Sequence, residues 1–284
     1  MLTPFIGGNW KMNTDRASAA RLARDVAAAL PEGNVADVAV FPPFPYLIPV
    51  SEVVASPEGS ARMMLGAQDC YHEASGAFTG EVSVGMLRDV GVGAVLVGHS
   101  ERRHVIGEDD ALVNLKARAV LDAGLVCVLC VGETLEQRHA GQADEINAAQ
   151  VRAGLRGVTG PQTRRLVVAY EPVWAIGTGA SATPQDAGAA HASIRSVLGG
   201  LFGPGPASGI RVIYGGSVSA ANARDMLGQP DVDGALVGGA SLRAKEFAGI
   251  VAVAGEIGRA RAAAGPGATA RPACTQESPL PKKA

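Results

Sequence analysis

Eight short β-branched runs, each followed by a longer Ala-rich stretch, alternate without a break along this chain. The runs cover residues 5–9, 35–41, 62–67, 94–98, 125–131, 165–170, 210–214 and 234–237. The stretches between them read as helices over 17–30, 45–55, 81–90, 109–123, 143–158, 184–201, 220–227 and 242–263. The runs are continuously apolar rather than alternating, as expected for parallel strands buried on both faces. Strict alternation of strand and helix predicts a parallel sheet, and eight units with no linker predict closure into a single (β/α)8 barrel. An open, doubly wound sheet binding a dinucleotide would carry G-x-G-x-x-G directly after a strand. The nearest match, around Gly91 and Gly93, precedes its strand.

The chain has 284 residues, which suits one such barrel of roughly 250 residues as well as it suits two smaller domains. We assign residues 1–264 to the barrel. Residues 265–284 are Pro-rich and polar with no apolar period, and read as a disordered tail. Aromatics make up only 4% of the chain, so the core must be built from Ala, Val, Leu and Ile. A net charge of −2 with no basic stripe argues against nucleic acid. No apolar run reaches the roughly 18 residues of a membrane span. No secretory signal is evident, and a cytoplasmic location is expected.

Cysteines stand at Cys70, Cys127, Cys130 and Cys274. Cys127 and Cys130 form a C-x-x-C, but inside a buried strand. Positions three apart on a strand face opposite ways, so the two share neither a metal nor a disulfide. The histidines (His72, His99, His104, His139, His191) show no metal-ligand spacing, and no P-loop or nucleophile elbow is present. No metal and no cofactor are expected.

In a barrel, chemistry belongs to the loops after the strands. Lys11 follows the first strand, within Gly7-Gly8-Asn9-Trp10-Lys11-Met12-Asn13. His99 follows the fourth and leads into a helical turn, whose dipole favours the neutral imidazole. Glu171 closes the apolar sixth strand, and desolvation there should raise its pKa toward that of a general base. After it, Val173-Trp174-Ala175-Ile176 is an apolar loop tip between Pro172 and Gly177-Thr178-Gly179, the composition of a hinged lid. Gly215-Gly216 and Gly238-Gly239 close the seventh and eighth strands. Two Cβ-free turns at adjacent helix starts suit a phosphate group. A base, a neutral polariser, a cation and a phosphate anchor describe proton abstraction next to a carbonyl.

The motifs Gly8-Asn9-Trp10-Lys11-Met12-Asn13, Gly98-His99-Ser100-Glu101-Arg102-Arg103 and Tyr170-Glu171-Pro172-Val173-Trp174-Ala175-Ile176-Gly177-Thr178-Gly179 resemble those of triosephosphate isomerases. So do Tyr214-Gly215-Gly216-Ser217-Val218 and Leu236-Val237-Gly238-Gly239-Ala240. The resemblance runs from Phe5 to Val253 and implies a TIM barrel of glycolysis and gluconeogenesis that interconverts D-glyceraldehyde 3-phosphate and dihydroxyacetone phosphate. It implies Glu171 as the base, His99 as the neutral electrophile, Lys11 as the cation and Asn9 as a hydrogen-bond donor to the enediolate, with Glu101 supporting Lys11. It places Gly177, Ser217, Gly238 and Gly239 at the phosphate, makes residues 172–180 the lid, and implies a homodimer. An isomerase of a four-carbon ketose phosphate would use the same catalytic groups, but the intact Trp174–Gly177 segment and the Gly-Gly pairs favour the three-carbon substrate. A non-catalytic phosphate-binding barrel would have lost one of Lys11, His99 and Glu171.

Two positions depart from the family pattern: Asp69 where Asn is usual, and Val84 where Pro is common. The loop of residues 71–80 is long for a strand–helix connection and carries Phe78 at a Gly-flanked tip. In the family this loop enters a second subunit, which would bring Thr79 near Asn9 and Lys11 of the partner.

Overall fold

The computed structural model describes residues 2–33, 35–56, 63–175 and 182–264. Its elements follow in order as β1 (Phe5–Asn9), α1 (Arg16–Ala29), β2 (Asp37–Phe41), α2 (Leu47–Val54), β3 (Met64–Ala67) and α3 (Val84–Asp89). Then come β4 (Ala94–Val97), α4 (Asp110–Asp122), β5 (Val126–Val131), α5 (Leu135–His139), α6 (Ala143–Gly154) and β6 (Leu166–Tyr170). The chain continues through α7 (Pro184–Phe202), α8 (Pro204–Ser208), β7 (Arg211–Tyr214), α9 (Ala223–Leu227), β8 (Gly234–Val237) and α10 (Ala244–Ala264). The eight strands form one closed parallel barrel in sequence order, sealed where Phe5 of β1 pairs with Gly234 of β8.

The apolar runs are buried on both faces because each strand serves two cores. Phe5, Phe41, Leu96, Val128, Ala169, Ile213 and Leu236 fill the barrel interior. Ile6, Val40, Val97, Leu129, Val168 and Val212 pack outward against the helices. Cys127 belongs to the outer cluster and Cys130 to the inner one, so the C-x-x-C does point two ways. Burial pushes the Cys127 thiol up to about 12 and the Cys130 thiol well above its usual value. Both are inert core residues.

Helix starts follow local capping chemistry. Asp15 and Ser18 form a reciprocal capping box on α1, and Thr183 with Asp186 does the same on α7, with Pro184 at the first helical position. Ser83 caps α3, which therefore begins at Val84 rather than at the expected 81. Val84 occupies the first helical position, where Pro is tolerated because its N–H would be unpaired anyway. The helix expected over 143–158 stops at Gly154, and the chain turns at Gly157 with φ +80°. Among the described residues, elements that were not anticipated include α5, α8, a π-helical turn at Arg102–Ile106 and short 3-10 turns such as Gly160–Arg165 and Gly239–Leu242. α5 carried a legible signal, the Thr134/Gln137 capping box.

No helix among the described residues is long and apolar enough to cross a membrane. The tail 265–284 and residues 176–181 lie outside the described residues, and so do Gly177 and most of the expected lid.

Candidate active site

The carboxyl ends of the strands surround a cavity of about 580 Å³ lined by Asn9, Lys11, His99, Glu171, Ser217, Gly238 and Gly239. Among the described residues, every predicted site residue except Glu101 is in this lining, and Glu101 acts on it through Lys11; Gly177 lies outside the described residues.

Asn9 is the last residue of β1, and its Oδ1 accepts the Lys11 amide at 2.9 Å. That bond holds Lys11 in a left-handed conformation, φ +50°, unusual for a side chain of this size. Gln68, just after β3, donates from Nε2 to the carbonyls of Lys11 and Phe41, each at 2.8 Å. The turn is therefore held from both sides, and the Lys11 ammonium meets Glu101 Oε1 at 2.6 Å. Gln68 escaped the sequence reading, although a polar side chain closing a strand was the same signal that marked Lys11 and Glu171.

Glu171 sits two strands away from β4 yet bonds to its end. Its Oε1 lies 2.9 Å from His99 Nε2, and its Oε2 accepts the Ser100 amide at 2.8 Å. The carboxylate is 1% exposed, as the apolar strand implied. The consequence expected from that burial is overturned. Burial alone would raise the Glu171 pKa, but His99, the Ser100 N–H and Lys11 outweigh it, and the net direction is down. The neighbours supply what the lost water would have supplied.

His99 shows the mirror image. Burial disfavours its charged form, but the Glu171 carboxylate overrides burial and moves the pKa up in this arrangement. At the other nitrogen, the Glu101 N–H donates to Nδ1 at 3.2 Å. Nδ1 is thus an acceptor, and the single proton of the neutral ring sits on Nε2, facing Glu171 and the cavity.

Two glycines leave room for Glu171. A Cβ on Gly132, after β5, would fall 1.7 Å from the Glu171 carbonyl oxygen, and one on Gly215, after β7, 2.7 Å from its Cγ. The first Gly-Gly pair is therefore required by packing: a Cβ on Gly216 would meet Tyr214 Oη at 2.1 Å. The second pair differs. A Cβ on Gly239 meets nothing within 4 Å, so that backbone is open to the cavity.

The chain next to Glu171 is anchored as well. Glu133, fully buried after β5, accepts from Tyr170 Oη at 3.0 Å, Trp174 Nε1 at 2.9 Å and Asn147 Nδ2 at 3.1 Å. The Arg138 guanidinium lies over the Trp174 ring, 4.4 Å from its centre, and pairs with Asp186 at 2.7 Å. None of these anchoring roles was legible in sequence, because each partner comes from a different loop.

The sequence pattern of the triosephosphate isomerase family matches residues 4–254. The chain belongs to the triosephosphate isomerase family. It is 52% identical over 252 residues to a triosephosphate isomerase of Chloroflexus aurantiacus, a match that covers 88% of this chain and 99% of the relative. It is 49% identical over 251 residues to one from Syntrophotalea carbinolica, covering 88% and 98%, and 51% identical over 253 residues to one from a Roseiflexus species, covering 88% and 97%. Family membership fixes the activity: isomerisation of a triose phosphate, a glycolytic reaction, by a single TIM barrel. The four-carbon alternative finds no support among these relatives.

Proposed function

We propose that Glu171 carries the proton between the two adjacent carbons that distinguish D-glyceraldehyde 3-phosphate from dihydroxyacetone phosphate. The observation that supports this reading most directly is the pairing of Glu171 with His99 Nε2 at 2.9 Å on the wall of a cavity that also holds Lys11. Deprotonation next to the carbonyl pushes charge onto oxygen. The Nε2–H of His99 then donates to that oxygen, while Asn9 and Lys11 stabilise the enediolate. No cofactor enters.

The resting contacts must be exchanged before chemistry. An oxygen already bonded to Ser100 N–H and His99 is a poor base. Once the carboxylate turns to the substrate, those donors are lost and burial dominates, so its pKa rises. His99 loses the contact that had done most to raise its own pKa, and burial, the largest influence, favours the neutral ring over the remaining pull of Glu101. The two groups are driven toward their working protonation states by the same movement.

The phosphate is assigned to Ser217, Gly238 and Gly239, with Gly177 contributing from the lid segment of residues 172–180. Its binding energy, realised away from the reacting carbons, serves to expel water and hold the intermediate. We further propose a homodimer working without a membrane or nucleic acid, in the cytoplasm. The support is an apolar set left in the open by a single chain: Met12 is 96% exposed, Val105 78% and Ile106 63%. Phe78 is less orphaned than its sequence suggested, because its ring rests on Tyr71 at 4.7 Å, but it too remains 39% exposed.

A coupled assay of dihydroxyacetone phosphate formation tests the activity, run beside Glu171→Gln and His99→Gln variants. Turnover by either variant at the rate of the unaltered protein would remove that residue from the mechanism.

A further inference from the structure

Residues 215–222 cross the cavity mouth between the end of β7 and the start of α9, outside either element. Ser217, assigned above to the phosphate, is exposed, so burial does not set its position. Its hydroxyl makes one contact of its own, donating to the Ala175 carbonyl at 3.4 Å, and its backbone is tied by the side chain of Asn222. The Asn222 Nδ2 donates to the Ser217 carbonyl at 3.1 Å, and the Asn222 Oδ1 accepts the Ser219 amide at 2.8 Å. The Ser219 hydroxyl approaches the same oxygen at 3.4 Å. One carboxamide thus ties both ends of the Ser217–Ser219 turn, using its donor for one and its acceptor for the other. Neither Asp nor Leu, at similar size, can do both. Asn222 itself lines the cavity that holds Lys11, His99 and Glu171.

A backbone turn binds an anion well only if its geometry is set before the anion arrives; otherwise binding must supply the ordering. We propose that Asn222 is a positioning residue for the substrate's phosphate, preorganising the backbone of Ser217–Ser219 as one wall of that subsite. This rests on the reading that the phosphate lies at Ser217, Gly238 and Gly239. Asn222 transfers no proton and forms no bond to the reacting carbons. Its effect belongs to the part of the binding energy that comes from the phosphate.

The test compares substrates with and without that group. For Asn222→Ala, KM for D-glyceraldehyde 3-phosphate and the inhibition constant of inorganic phosphate both rise about tenfold, the scale of one lost hydrogen-bonding pair. The ratio of kcat/KM for the phosphate ester to kcat/KM for phosphate-free D-glyceraldehyde falls by a similar factor. Asn222→Asp, which keeps the acceptor, loses the donor and adds negative charge, loses more than Asn222→Ala. Gly239→Ala serves as the control on the underlying reading: the protein has room for a Cβ there, but a phosphate at Gly239 would collide with it. If Gly239→Ala weakens phosphate inhibition and Asn222→Ala does not, the phosphate is where we place it and the role of Asn222 is refuted. If neither variant changes phosphate inhibition, the phosphate assignment itself fails. If Asn222→Ala depresses both substrates equally, Asn222 is only part of the scaffold, and the proposal is overturned.

Discussion

The Glu171 carboxylate and the Ser100 amide are hydrogen-bonded at 2.8 Å, joining the ends of two non-adjacent strands, β6 and β4. Together with the stronger contribution of His99, the bond outweighs burial and draws the pKa of this carboxylate down. In the proposed mechanism, an acidic pKa and an isolated, buried base are two states of one side chain, exchanged by rotation away from His99 and Ser100.

In the ligand-free protein, a carboxyl-carbon NMR titration should therefore place Glu171 below the ordinary Glu value of about 4.3. With a phosphate-bearing intermediate analogue bound, the same signal should titrate higher, because the Ser100 and His99 donors are given up. Glu171→Gln keeps the shape and removes the basicity, so turnover should fall by a factor of about 10² or more with the fold intact. A Glu171 signal that titrates above the ordinary value in the free protein would contradict the His99 and Ser100 contacts.

The strands were readable because burial on both faces leaves an unbroken apolar run, and parallel closure follows from their alternation with helices. Lys11, His99 and Glu171 were readable because each is a polar group at a strand's carboxyl end, whereas Asn9 was picked out only by the family resemblance. Gln68 sat in the same position but was passed over. The sign of the Glu171 shift lay beyond the sequence, since it depends on the barrel bringing His99 and the Ser100 N–H, the latter 71 positions away, against the carboxylate. The π-helical turn at Arg102–Ile106 had no periodic signal, being a single turn ended by Gly107 at φ +92°. The hold of Glu133 on Trp174 and of Asn222 on Ser217 depends on which loops the barrel brings together, not on local pattern.

Lys11 is held by Asn9, Gln68 and Glu101, an investment in one ammonium group that argues for a charge role. Lys11→Met should lose roughly 3 kcal/mol or more of transition-state stabilisation, as for loss of a preorganised electrostatic contact. Affinity for a charged intermediate analogue should weaken in parallel. Unchanged analogue affinity, measured by calorimetry, would make the ammonium a bystander.

Asp69 joins a buried cluster in which Lys116 bonds both its oxygens at 2.8 Å and Arg102 bonds it at 2.9 Å, with Glu108 as the second anion. Burial nevertheless dominates, and its pKa is pushed up to about 6 despite the two cations. The sign follows from linkage. A folded pKa above the unfolded value of about 3.9 gives stability that is fully present below the unfolded value and lost as pH rises through the folded one. Between pH 4 and 7 the loss should approach about 2 kcal/mol. Asp69→Asn removes that dependence while leaving Glu108 to pair both cations, so it should be the more stable protein at pH 8 and close to equal at pH 4. Urea titrations of the two proteins across this range decide it; parallel stability profiles would show that Asp69 is ionised in both states.

The last prediction concerns assembly. Met12 lies beside Lys11 and is almost fully exposed, and the π-helical turn that follows His99 presents Val105 and Ile106 to solvent. Apolar side chains left open next to the Lys11 and His99 loops invite a partner surface, and the same patch on a second copy satisfies twofold symmetry. The 71–80 loop supplies the protruding part, with Phe78 braced on Tyr71. Phe78→Asp combined with Thr79→Arg should therefore yield monomers. Their activity should fall well below that of the unaltered protein, because in the proposed dimer the inserted loop backs the partner's Lys11 turn. Sedimentation velocity run beside the assay separates the cases. Fully active monomers, of the variant or of the unaltered chain, would show that the Asn9, Gln68 and Glu101 contacts hold Lys11 without any help from a second subunit.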